Sequence, residues 1–189
     1  GDHHADATTT LSGIPRAVTR PALSVVFNIA EGVGFGLILN ALSRVRAMIV
    51  FRRGVTDRMM TPHEGLLWGL AGFAIFSLAP ALGLPPELPG SVAGDLAQRQ
   101  AWWVMTTFWT AGGLVVFVHA PGAWKITGII PLLLPHVIGA PHADGHGPVP
   151  GELAAAFAAG SLVASAVFWT VLGVVSGWAR QALTRWQWA

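Results

Sequence analysis

The chain has 189 residues, of which 53% are hydrophobic and 11% charged. Ordinary soluble domains carry about a quarter charged residues, and here the apolar residues fall in long blocks almost free of charge, the pattern of an integral membrane protein in a lipid bilayer. The net charge of +2 is no nucleic-acid footprint, because the basic residues sit mostly at the ends of apolar blocks, where they set orientation. Cysteine is absent, which excludes disulfides, thiolate metal sites and cysteine nucleophiles. Tyrosine is absent too, so the nine tryptophans must supply the interfacial belt. The first residue, Gly1, leads us to expect removal of something N-terminal by processing or trimming.

Residues 1–21 are polar, hold His3, His4 and Asp6, and predict a flexible tail. Residues 22–178 predict a transmembrane bundle of five segments, and 179–189 a cytoplasmic tail. The first segment, 22–42, is long enough to span, since about 20 residues at ~1.5 Å each cover the hydrocarbon core. Gly32, Gly34 and Gly36 favour close helix contact, with Gly32 and Gly36 one turn apart. Asn28, Glu31 and Asn40 share this segment.

Residues 43–64 carry Arg44, Arg46, Arg52, Arg53 and Arg58 around apolar Met48 to Phe51, which suggests a piece resting on the membrane surface. Thr61, Pro62 and Glu64 form a helix start: Thr61 caps, Pro62 takes the first turn, Glu64 completes the capping box. The second segment, 65–84, stops at Pro85-Pro86, and Pro80 should kink its last turn. In the loop that follows, Asp95 and Arg99 are spaced to pair on a helical lead-in. The third segment, 101–119, opens with Trp102-Trp103, which read as interface anchors like Trp124, Trp178, Trp186 and Trp188.

The fourth segment, 124–138, is short: as a helix it covers about 22 Å against the ~30 Å of a bilayer core. Pro131 and Pro135 make it irregular, and it either crosses a thinned region or turns back inside protein. The fifth, 153–178, begins with a run of Ala, Gly and Ser suited to tight packing. The fold class is therefore all-α, a polytopic membrane helix bundle of about five segments, one of them short and Pro-broken. Five spans place Arg44, Arg46, Arg52, Arg53, Arg58, Lys125, Arg180 and Arg185 on one side and Arg16, Arg20 and Arg99 on the other. The basic side is expected to be cytoplasmic, which puts the N-terminal tail and the 139–152 loop outside.

The chemistry concentrates in PLLLPHVIGAPHADGHGPVPGEL, residues 131–153. His136, His142, Asp144 and His146 are candidate ligands for a divalent transition metal, since imidazole nitrogen and carboxylate oxygen suit Co, Ni, Zn or Cu. The spacing is no standard zinc signature, and the bland alternative is a polar loop with ordinary surface histidines. For His136 that alternative is a hydrogen bond to a carbonyl freed by Pro135. Glu31, a carboxylate in mid-span, is either an ion relay or a neutral acid bonded to Asn28 or another helix. His3 and His4 either collect metal outside or have no role. His63 belongs to a helix start, and His119 is interfacial. No G-x-x-x-x-G-K-[ST], G-x-S-x-G or H-E-x-x-H occurs, so no enzyme is expected.

The stretches GLLWGLAGFAIFSLAPALGLPPELPG (65–90), DLAQRQAWW (95–103) and LLLPHVIGAPHADGHGPVPGELAAAF (132–157), with GVGFGLIL and FWTVLGVVSG, resemble the CbtA family of bacterial cobalt transporter subunits. The resemblance implies a multi-pass inner-membrane protein that works with a small one-span partner, CbtB, bearing a histidine-rich end. Cobalt is then the expected metal, and His136, His142 and His146 are the matching histidines. The sequence departs from the family pattern at two places. It begins within the His- and acid-rich stretch that in the family follows an N-terminal hydrophobic segment, and it carries Glu31 where a small or neutral residue is expected. A rival from another class is a non-transporting structural subunit of a larger membrane complex, with His136 or His119 ligating a pigment or haem.

Overall fold

A computed structural model describes residues 16–52, 61–92, 94–141 and 149–187. Its helices are α1 (Arg16–Arg52), α2 (Pro62–Phe73), a π-helical turn (Ala74–Leu78), α3 (Ala79–Gly83), α4 (Leu96–His119), a 3₁₀ turn (Gly122–Gly128), α5 (Ile129–Ile138) and α6 (Gly151–Gln187). Among the described residues there is no strand. Four stretches are long and apolar enough to cross a membrane, Pro21–Met48, Pro62–Gly83, Leu96–His119 and Gly151–Leu183, and Gly122–Ile138 is a shorter apolar one. The all-helical membrane bundle expected from the sequence is what the chain forms.

The helix ends follow the local chemistry. Thr61 accepts the backbone N–H of Glu64 at 3.2 Å, while the Glu64 carboxylate accepts that of Thr61 at 2.9 Å, which completes the expected box. Asp95 caps α4 by accepting the Gln98 N–H at 2.9 Å. That use of its carboxylate takes it away from Arg99, which instead pairs across the loop with Glu87 at 3.1 Å. The expected Asp95–Arg99 pair is thus replaced. A helix N-terminus leaves its first N–H groups unpaired, and they hold Asp95 more directly than an exposed cation does. Gly139, at φ 91°, ends α5 in a conformation that a side chain would disfavour.

The bundle is organised by the crossing of α2 and α6. Gly65 and Gly69 lie against Gly173 and the Trp169 carbonyl, and Gly177 lies against Thr61. A Cβ at Gly65, Gly69 or Gly173 would run into the facing backbone, so the two helices touch main chain to main chain, as small residues permit in a membrane. The pairs show that α2 and α6 run antiparallel. The close approach is not in the Ala- and Gly-rich opening of α6, where the sequence suggests it: a Cβ added at Gly151 or Gly160 would meet nothing within 4 Å.

A second pair forms beside this one. Gly113 of α4 meets Gly128 and Leu132, Gly128 meets Phe117, and Trp102 meets His136, its ring centroid 5.9 Å away and edge-on. The short segment therefore begins beside the end of α4 and finishes with Ala140 next to Gly83, at the opposite end of the bundle. It does not turn back. Trp102 is buried against His136 and Gly83, and Trp103 donates its indole N–H to the Phe76 carbonyl at 3.3 Å. Trp102 is thus buried where the sequence suggests an exposed anchor, while Trp103, Trp124 and Trp178 are exposed. Trp102 turns inward because Gly83 leaves its ring a slot.

α1 lies parallel to α6 on the far side. Gly32 faces Phe168, Gly36 faces Leu172, and Arg180 donates to the Ser43 hydroxyl at 2.7 Å. The basic stretch after Ser43 continues α1 without a break to Arg52, where the sequence suggests a separate surface piece. At 37 residues the helix is roughly 55 Å long, so its end extends well past a hydrocarbon core of about 30 Å.

This packing sets the cost of two kinds of substitution. Gly173→Ala should lower stability by about 1–3 kcal/mol, the usual range for overpacking, whereas Gly160→Ala on the same helix should be neutral or slightly stabilising; thermal unfolding of both in mild detergent checks this. Thr61→Ala should cost about 1 kcal/mol through loss of the cap, read by the same assay.

Candidate functional site

The site grows out of one irregularity. Pro80 has no N–H, so in a regular helix the carbonyl four residues back, that of Phe76, would lose its partner. The helix answers with the π-helical turn Ala74–Leu78, which takes the place of the simple kink expected at Pro80. Such turns widen a helix and expose backbone groups. Two indoles meet this one: Trp103 donates to the Phe76 carbonyl, and Trp169 donates to the Ser77 hydroxyl at 3.2 Å. Trp169 is only 2% exposed and stacks on Phe76, with centroids 5.4 Å apart and planes 6° from parallel.

α1 brings the remaining wall. Phe35 stands 4.7 Å from Trp169 and 5.1 Å from Phe76. One turn toward its N-terminus is Glu31, and Asn28 lies one turn further. Together with Ser77 and with Ser165 of α6 they line a cleft of about 560 Å³. Glu31 is about 15 Å along the 28-residue apolar stretch that begins at Pro21, a little over a third of the way to its end. It makes no hydrogen bond and no ion pair with any described residue, so the bond to Asn28 considered from the sequence is not formed.

The other candidates do not join it. His136 is half-buried at the end of α5, its ring against Trp102; it makes no hydrogen bond to a described residue and does not line the cleft. His63 is exposed at the start of α2. The His119 ring lies against the Val115 carbonyl, Nδ1 to O 3.1 Å. His3, His4, His142, Asp144 and His146 lie outside the described residues. Among the described residues no three His, Asp or Glu side chains come together to hold a metal ion.

Ser77, Ser165, Trp103 and Trp169 are not marked by any spacing in the sequence. The one available signal is Pro80, which points to a free carbonyl at Phe76. Chemically, the cleft offers one carboxylate, a few neutral oxygens and aromatic faces. That set is too small to replace the six or so oxygen or nitrogen ligands of a dehydrated divalent ion. It suits a cation that keeps its water or has little to lose. A shell of about six waters at ~30 Å³ each fills about a third of the space.

Compared with known proteins, the chain matches a family model described as probable cobalt transporter subunit (CbtA) over residues 1–181. No curated protein and no solved structure matches it. The sequence resemblance and the family model agree along nearly the whole chain, which belongs to the CbtA family of probable cobalt transporter subunits.

Proposed function

We propose that this chain is an inner-membrane subunit for uptake of cobalt or a similar divalent metal ion, with Glu31 on the ion path. One observation carries the reading: a carboxylate with no bonded partner among the described residues stands inside an apolar span and lines a cleft. An ionisable group at membrane depth is costly and usually marks an ion pathway. The weakness of its donor set fits passage, because an ion that conducts must bind well enough to enter and loosely enough to leave.

In this reading the histidines act before the cleft. His136 lies in the last turn of α5, and in this reading His142, Asp144 and His146, which follow it in the sequence, receive the metal outside together with His3 and His4. The opposite end carries Arg44, Arg46, Lys125 and Arg180, and positive residues favour the cytoplasm. The N-terminus then faces outward and the C-terminus inward. The partner in this reading is a small one-span CbtB-like protein.

Cobalt accumulation in cells expressing the chain with its partner tests the path. Glu31→Ala should bring uptake down to the level of cells without the chain while its abundance in the membrane is unchanged; uptake at the native level would remove Glu31 from the path. The double variant His136→Ala/His142→Ala should also accumulate less cobalt at low external concentration, and normal accumulation would sink the histidine half of the reading.

A further inference from the structure

We propose that the cleft at Glu31 is also a binding site for a lipophilic organic cation of the quaternary ammonium or phosphonium class. This inference shares the residue Glu31 with the metal path but does not depend on metal transport.

The wall is the first observation. Phe35, Phe76 and Trp169 form a closed cluster with centroids 4.7–5.4 Å apart. Phe168 meets it edge-on, 5.7 Å from Trp169, and Trp103 flanks it 6.2 Å from Phe76. All five rings border the cleft; Trp169, 2% exposed and stacked on Phe76, backs the wall, while Phe35, Phe76, Phe168 and Trp103 are partly exposed and face ligand. Aromatic faces carry negative potential and attract cations that have little hydration to lose. A small divalent ion gains little from them, because they offer no lone pair in exchange for bound water.

The second observation is where the polar groups point. Both indole N–H groups are engaged, one by the Phe76 carbonyl and one by Ser77. Neither indole N–H is therefore free to donate to a ligand, and an anion would find only Asn28 and the serine hydroxyls. Glu31 supplies a negative charge that no described cation neutralises. No Lys, Arg or His among the described residues lines the cleft.

Size and place are the third. A volume of about 560 Å³ lies within the ~300–1,000 Å³ of small-molecule sites, and it exceeds what a single hydrated metal ion fills. The cleft is lined from helices apolar enough to cross a membrane and opens beside the exposed outer part of α1, which gives a lipophilic cation dissolved in the bilayer a lateral route to it. Aromatic rings and a carboxylate lining one cleft are the recognition chemistry of such cations.

Equilibrium binding of radiolabelled tetraphenylphosphonium to the purified full chain in metal-free detergent tests the proposal, with cobalt uptake measured separately in cells. Saturable binding is expected. Glu31→Gln, which keeps the shape of the side chain and removes its charge, should abolish it. Phe35→Leu, which keeps apolar bulk and removes one ring, should weaken it by about two- to fivefold, the size of one exposed cation–π contact. Native chain that is monodisperse and helical yet shows no saturable binding overturns the proposal, as does equal binding by Glu31→Gln. The two readings fail separately: no phosphonium binding beside Glu31-dependent cobalt uptake removes only this site, and phosphonium binding without cobalt uptake removes only the metal path.

Discussion

Main-chain contact between α2 and α6 is the constraint from which the rest of the structure follows. Within a bilayer there is little hydrophobic drive to bring helices together, so association relies on close packing and on polar contacts. Gly65, Gly69, Gly173 and Gly177 supply the closeness. Once the two backbones touch, Trp169 has nowhere to go but across Gly72 and onto Phe76. Its indole then reaches Ser77. The glycines at one level thus fix the aromatic wall one to two turns away, and the π-helical turn lies where that wall is built.

That turn shows how a membrane helix accommodates proline without leaving a bare carbonyl. An unpaired carbonyl in hydrocarbon is expensive. The chain meets the requirement with Trp103 from α4, and this one bond also ties the α2–α6 pair to the α4–α5 pair. A group that repairs the backbone is therefore also a wall of the cleft. On α4, Thr106, Thr110 and Gly113 form a buried stripe of small residues, and at Gly113 the Pro-containing α5 lies close.

Much of this was legible in the sequence, and the limits have physical causes. Charge-free blocks reveal spans because hydrocarbon tolerates little else, and Glu31 stands out by the same rule. The capping box at Thr61 is local chemistry and is read directly. What surrounds Glu31 is not local. A π-helical turn leaves no composition signature, and which indole bonds which group depends on how two helix pairs sit together. Trp102 at the start of a segment looks like part of an interfacial belt until Gly83 and His136 are known to face it. The run of small residues early in α6 misleads for a related reason: smallness permits close packing, but only a facing glycine makes use of it. Of the histidine corner, only His136 falls among the described residues, and its ring partner, Trp102, lies 34 positions earlier in the chain.

The distribution of packing across α1 bears on what the cleft is for. Toward its C-terminal end α1 is held firmly, with Leu39 and Ser43 buried and Arg180 bonded to the Ser43 hydroxyl. Toward its N-terminal end, every residue from Pro21 to Glu31 is exposed, and contact with α6 is through side chains at Gly32 and Gly36. The carboxylate therefore stands at the boundary between the anchored and the uncovered half of one helix. Opposite it is the rigid part of the bundle, where backbones touch and indoles are fixed by hydrogen bonds. Segments with few buried contacts open at low free-energy cost, while tightly packed ones do not. In the proposed reading, a site with one charged, lightly held wall and one rigid aromatic wall admits a cation without disturbing the contacts that keep the helices together. A carboxylate fixed between α2 and α6 would have required the glycine crossing itself to loosen.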